Sequence, residues 1–126
     1  MPLEEPMALA ALPLNVSAES FDREVLEHSR PVLADFWSQT CGHCVRFNPE
    51  FDAAAAEARG QAKFVKVLAQ EAMPLFQRFG VQATPTTILF RGGVEIGRRP
   101  GFVSKGDLLA WMTQALRAAD AERSAA

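Results

Sequence analysis

At 126 residues the chain has room for one domain and little more, and with 48% apolar residues it can build a core, which argues against wholesale disorder. A formal net charge of -2 gives no electrostatic reason to expect nucleic acid as a partner. No apolar run approaches the roughly 18 residues that a membrane-spanning helix needs, so no membrane partner is expected either.

Residues 1–13 carry three prolines and read as a flexible leader. Within it Met7–Leu14 is apolar but short. It follows Glu4 and Glu5 rather than basic residues, and the first Arg or Lys is Arg23. That makes a poor signal peptide, so a cytoplasmic location is expected. A single domain is predicted over residues 14–118. Leu14–Val16 suits a short strand, and Ser17 offers an N-cap to a helix reaching about Ser29, with Phe21, Val25 and Leu26 on its apolar face. Pro31 opens the run Pro-Val-Leu-Ala-Asp-Phe-Trp, a buried strand interrupted by one acid, Asp35. Val45–Arg59 is rich in Ala and Glu and reads as a helix ended by Gly60. Pro49, inside it, lacks an N–H and should kink it.

Ala62–Leu68 is the next predicted strand, and Glu71–Phe79 a short helix ended by Gly80. Thr86–Arg91 and Val94–Arg98 flank Gly92-Gly93, a hairpin signal because such turns need positive φ. Ser104 caps a last helix through Leu108, Leu109, Trp111, Met112 and Leu116, with a frayed tail expected over residues 119–126. Strands joined through helices pair in parallel by right-handed crossovers, whereas a hairpin is antiparallel. The expected fold class is therefore α/β, a mixed central sheet with helices on both faces.

Cys41 and Cys44 are the only cysteines. A bridge between them closes a tiny loop and adds little stability, so the pair calls for a chemical explanation, with chance adjacency of two inert thiols as the alternative. The segment lies between a strand and a helix. That puts Cys41 at a helix N-terminus, where unpaired N–H groups and the helix dipole favour a thiolate. Cys44 sits about one turn later, placed to attack a mixed disulfide formed on Cys41. Half a zinc site looks the same, but zinc usually wants four protein ligands and only His28 and His43 remain as histidines. An ionised Asp35 in an apolar strand should have a raised pKa and could exchange protons with Cys44; a strand-edge acid facing water is the plainer alternative. His43, between the cysteines, can stabilise a thiolate as donor or cation. His28 reads as a solvated helix cap, Trp111 and Phe47, Phe51, Phe64, Phe76 and Phe79 as core, and Arg91, Arg98 and Arg99 as a surface rim.

Ser20-Phe21-Asp22, Val25-Leu26, Val32-Leu33, Asp35-Phe36-Trp37, the C-x-x-C, Pro49, Ala83-Thr84-Pro85-Thr86, Phe90, Gly92 and Gly101 together resemble the thioredoxin family, at matching spacings from about Ser20 to Leu109. The resemblance implies a thioredoxin fold and a protein-disulfide oxidoreductase. In it Cys41 and Cys44 exchange disulfides, Asp35 is the buried acid with Lys66 as its partner, and Pro85 is cis. Trp37, Thr84, Pro85 and Gly101 would line the substrate groove, where main-chain strand addition accepts many sequences. The redox-active disulfide would serve in place of a cofactor, and no metal is expected. The implied partners are protein disulfides or dithiols and a thioredoxin-reductase-type or glutathione electron donor, with the chain a monomer.

The departures carry information too. Gly42-His43 resembles protein disulfide isomerase, where bacterial thioredoxins have Gly-Pro, and Thr84 is closer to the isomerase pattern. Thr40 replaces the usual Trp, which puts recognition by thioredoxin reductase in doubt, and Gln70 stands where an acid is usual. Two other readings stay open from the sequence: a thioredoxin-like adaptor or chaperone module with incidental cysteines, and a dimeric zinc module.

Overall fold

Residues 12–125, the part described by the computed structural model, form strands β1 (Leu14–Asn15), β2 (Val32–Trp37), β3 (Lys63–Leu68), β4 (Thr86–Arg91) and β5 (Val94–Pro100). The helices are α1 (Gly42–Ala58), α2 (Ala69–Arg78) and α3 (Lys105–Ala125). The sheet order is β1-β3-β2-β4-β5. β3 runs parallel to β1 and β2, while β4 is antiparallel to β2 and β5. This is the mixed sheet expected from the order of elements. The hairpin turn falls at Gly92 and Gly93, whose φ of 60° and 80° a β-branched residue would resist.

Alternation along the strands splits the core in two. Val32, Ala34 and Phe36 of β2 join Val65, Val67, Ile88 and Phe90 beneath α2 and the turn around Phe21. Leu33, Phe64 and Leu89 face the other way, onto Phe47, Phe51 and Ala54 of α1 and Leu108 and Met112 of α3. Asp35 shares parity with Leu33 and so points to the α1 face. Small residues on the inner side of α1 (Ala54, Ala55 and Ala58, all buried) let this helix lie close to the sheet.

The edge strand β5 is mostly exposed. Arg98 forks onto Glu95 and bonds the Phe79 carbonyl, and the strand ends at Pro100. Gly97 lies under Trp111, where an added Cβ would come within 3.1 Å of the indole. A register shift between Leu89 and Phe90 interrupts the hairpin ladder.

Three sequence expectations need adjustment, and one falls largely outside the described residues. The leader, residues 1–13, lies outside the described residues except for Leu12 and Pro13. The helix expected from Ser17 to about Ser29 is a widened π turn, Asp22–Leu26, closed by the Glu27 N–H on the Asp22 carbonyl. Ser17 does cap its approach, because Ser17 and Ser20 each accept the other's backbone N–H, at 3.1 and 2.9 Å. α2 breaks at Ala72 (φ -141°, ψ 41°), since Pro74 lacks an N–H and its ring clashes with the preceding turn. Where residues 119–126 were expected to fray, α3 stays helical to Ala125. The segment is built of good helix formers, and Asp120 is tied to Arg91 at 2.5 Å.

Candidate active site

β2 ends at Trp37, and the chain turns through Ser38, Gln39 and Thr40 before α1 begins at Gly42. Cys41 is therefore the N-cap of α1, extended at φ -105° and ψ 113°. Its Sγ accepts the Cys44 N–H at 3.2 Å, the bond that a capping Ser or Asp oxygen would ordinarily make. The thiol also donates to the Thr84 carbonyl at 3.4 Å.

The two thiols, both free, differ sharply. Cys41 is partly exposed and Cys44 wholly buried. Burial pushes the Cys41 thiol up, but hydrogen bonds from the Cys44 and Thr84 side chains and from the Cys44 and His43 backbone N–H groups outweigh it, and the net displacement is downward. For Cys44, burial leads and the Cys41 thiol adds to it, so its pKa is pushed up to about 11 from 9.0.

Asp35 is fully buried on the α1 face, paired across the sheet with Lys66 on one side and Thr87 on the other. Neither carboxylate oxygen finds a hydrogen-bond partner among the described residues. Burial pushes the carboxyl up, the Lys66 charge opposes this and Asp52 reinforces it, leaving a pKa of about 7 against an ordinary 3.8. The Lys66 ammonium is not hydrogen-bonded to Asp35. It forms its ion pair with Asp52 of α1 at 3.0 Å, where that carboxylate is more accessible, and acts on Asp35 through its field.

The Thr84–Pro85 bond is cis, and Pro85 is buried. Its carbonyl accepts the Gly101 N–H at 2.7 Å, joining the loop beside Cys41 to the end of β5. At that point φ is +84°, so glycine alone adopts the conformation without strain. Trp37 is half-buried, with its indole N–H unpartnered among the described residues. His43 and Gly42 are exposed on the first turn of α1, where the His43 Nδ1 meets the Arg46 guanidinium. Arg46 also lies 5.7 Å from the centroid of the exposed Phe102 ring. Cys41, Thr84, Pro85 and Gly101 thus meet at one end of the sheet, while Asp35 and Lys66 lie in the strands behind.

Sequence reasoning missed Asp52 as the partner of Lys66, and the polar contacts of Gln70 with the turn before Cys41. The hydroxyls of Ser38 and Thr40 are the only local sign of the latter. Arg91 and Arg98 are ion-paired with Asp120 and Glu95. Among the described residues no three His, Cys, Asp or Glu side chains gather to hold a metal ion, and no helix is long and apolar enough to cross a membrane.

The family model described as Thioredoxin matches residues 13–114. The chain is 34% identical over 102 residues to a thioredoxin of Rickettsia felis, covering 81% of this chain and 97% of the relative. It is 33% identical over 99 residues to a thioredoxin of Pseudomonas aeruginosa and 36% over 99 to one of Allochromatium vinosum, in each case covering 79% of this chain and 92% of the relative.

Proposed function

The chain belongs to the thioredoxin family and is a thiol–disulfide oxidoreductase, and we propose that Cys41 is its attacking thiol and Cys44 its resolving thiol. The asymmetry of the pair supports this reading: Cys41 is partly exposed and receives N–H donors at a helix N-terminus, whereas Cys44 is sealed beneath it. The Cys41 thiolate attacks one sulfur of a protein disulfide. The substrate S–S bond breaks, a Cys41–substrate disulfide forms, and the departing thiolate takes up a proton. Cys44 then loses its proton and attacks the Cys41 sulfur, releasing the second substrate thiol. The substrate gains two electrons and two protons, and the protein is left with a Cys41–Cys44 disulfide.

Asp35, largely protonated below its pKa of about 7 and ionised above it, is the buried group suited to receive the Cys44 proton. Lys66 biases that titration from a distance. Trp37, Thr84, Pro85 and Gly101 form the wall against which an extended substrate would lie. The pair carries the electrons itself, so the chemistry requires no metal or other cofactor. A thioredoxin-reductase-type enzyme or glutathione would return the electrons, to a monomer in the cytoplasm.

Two measurements test the assignment. Insulin disulfides should be reduced catalytically in the presence of dithiothreitol, and iodoacetamide should modify Cys41 with a midpoint below that of an ordinary thiol. A folded protein without turnover would favour the adaptor reading, and a midpoint at or above the ordinary value would remove Cys41 as nucleophile.

His43 is proposed to tune the couple with Gly42, and its backbone is the firmer basis for that role. The His43 N–H is one of the groups lowering the Cys41 pKa, and proline has no N–H to offer. His43→Pro should therefore raise the Cys41 midpoint and make the couple more reducing. A shift of ~30 mV, equivalent to ~1.4 kcal/mol for a two-electron couple, is the size expected for one charge-assisted bond. Equilibration with glutathione buffers reads it directly. A variant as oxidising as the parent would show that this N–H does not set the potential.

A further inference from the structure

We propose that Gln70 is a positioning residue for Cys41, acting as a clasp that holds the turn before the nucleophile from the first turn of α2. The proposal rests on the reading of Cys41 as the attacking thiol.

Three backbone donors in and after this turn have defined acceptors. The Cys41 N–H closes it on the Ser38 carbonyl at 3.3 Å. The Thr40 N–H goes to Ser38 Oγ at 3.3 Å. The Gln39 N–H has no acceptor within the turn and goes instead to Gln70 Oε1 at 3.2 Å, across 31 residues of sequence. The other end of the same amide, Nε2, donates to Ser38 Oγ at 3.0 Å. Ser38 Oγ lies 3.1 Å from Thr40 Oγ1 as well.

Gln70 thus grips the turn at two points with a donor and an acceptor. Its orientation is fixed chemically, because a backbone N–H can be met only by the amide oxygen. The turn sets where the N-cap sits, and so whether Cys41 Sγ stays within reach of the Cys44 N–H. The amide does this without adding charge beside the thiolate. A carboxylate could accept from both the Gln39 N–H and the Ser38 hydroxyl, but its charge would oppose ionisation of Cys41. Gln70 is exposed and sits before the break at Ala72, so the core does not depend on it.

The test compares the parent with Gln70→Ala, Ser38→Ala and the double variant. The readouts are the pH dependence of Cys41 alkylation, the equilibrium with glutathione, and urea unfolding. We expect both single variants to raise the alkylation midpoint and to slow alkylation at neutral pH by roughly three- to tenfold, as loss of one or two such bonds implies. The couple should become more reducing and the unfolding midpoint should change little. Because the Gln70–Ser38 bond is lost in either single variant, the double variant should fall short of the sum of the two effects. An unchanged midpoint and potential in Gln70→Ala, or fully additive effects, would overturn the clasp while leaving Cys41 as nucleophile. A parent protein whose own midpoint is that of an ordinary thiol would overturn both.

Discussion

Cys44→Ser is expected to abolish turnover and to leave the protein joined to its substrate through Cys41. Serine at this position is nearly isosteric, so the N-cap bond from the residue 44 N–H to Cys41 Sγ survives, and with it the first attack. A hydroxyl cannot break a disulfide, and the mixed disulfide then persists until an outside thiol removes it. Incubated with an oxidised peptide, the variant should gain the mass of one substrate half, and dithiothreitol should reverse the gain. Cys41→Ser should gain nothing, because the remaining thiol is buried and its pKa pushed up to about 11. If Cys41→Ser captured substrate and Cys44→Ser did not, the order of attack would be reversed.

The second large effect lies at Asp35. Below pH 3.8 its carboxyl is protonated in folded and unfolded chains alike and carries no penalty. Between 3.8 and about 7 the unfolded chain ionises while the folded one holds its proton, so stability falls as pH rises through this window, and above it the full penalty of the buried charge applies. The difference between these two values corresponds to about 4 kcal/mol. Asp35→Asn removes that term but leaves a buried amide short of partners, at a cost of about 1–3 kcal/mol. Reduced Asp35→Asn should therefore be more stable than the parent at pH 8, by roughly 1–3 kcal/mol, and no more stable at pH 4. Urea unfolding at both pH values reads the difference. Turnover at neutral pH should slow in the same variant if Asp35 is, as proposed, the proton acceptor of Cys44. A stability difference that did not change with pH would mean that Asp35 carries no buried charge.

The reach of the sequence is clearest at these two positions. A single acid in an apolar strand announces a buried carboxylate, because burial follows from its neighbours in the chain. Its surroundings are less legible. Asp35 meets Lys66 and Thr87 only through strand register, and Lys66 finds Asp52 only because α1 crosses above β3. The hairpin was readable from two glycines, since positive φ is a local demand. The π turn was not, because Phe21 and Val25 fall on one face whether the turn contains the ordinary number of residues or one more. Gln70 stood out only as a departure from the family pattern, and its contacts were illegible for a similar reason: its partners lie 31 and 32 residues away, and an exposed glutamine suits almost any helix. The break at Ala72 traces to Pro74, in a segment whose sequence reads as one continuous helix.

The outer flank of the sheet bears on how the protein behaves at high concentration. An unprotected border strand can recruit the same strand from another copy, and repeated recruitment seeds fibrils. β5 resists this in several ways at once. Its terminal Pro100 offers no N–H, its outward charges at Glu95, Arg98 and Arg99 would be stacked against their own likenesses in a register-matched pair, and the register shift bends the ribbon. Trp111 covers the one glycine at which a flat approach would be easiest. A protein proposed to accept extended peptides beside Pro85 thus keeps this outer backbone from accepting its own kind.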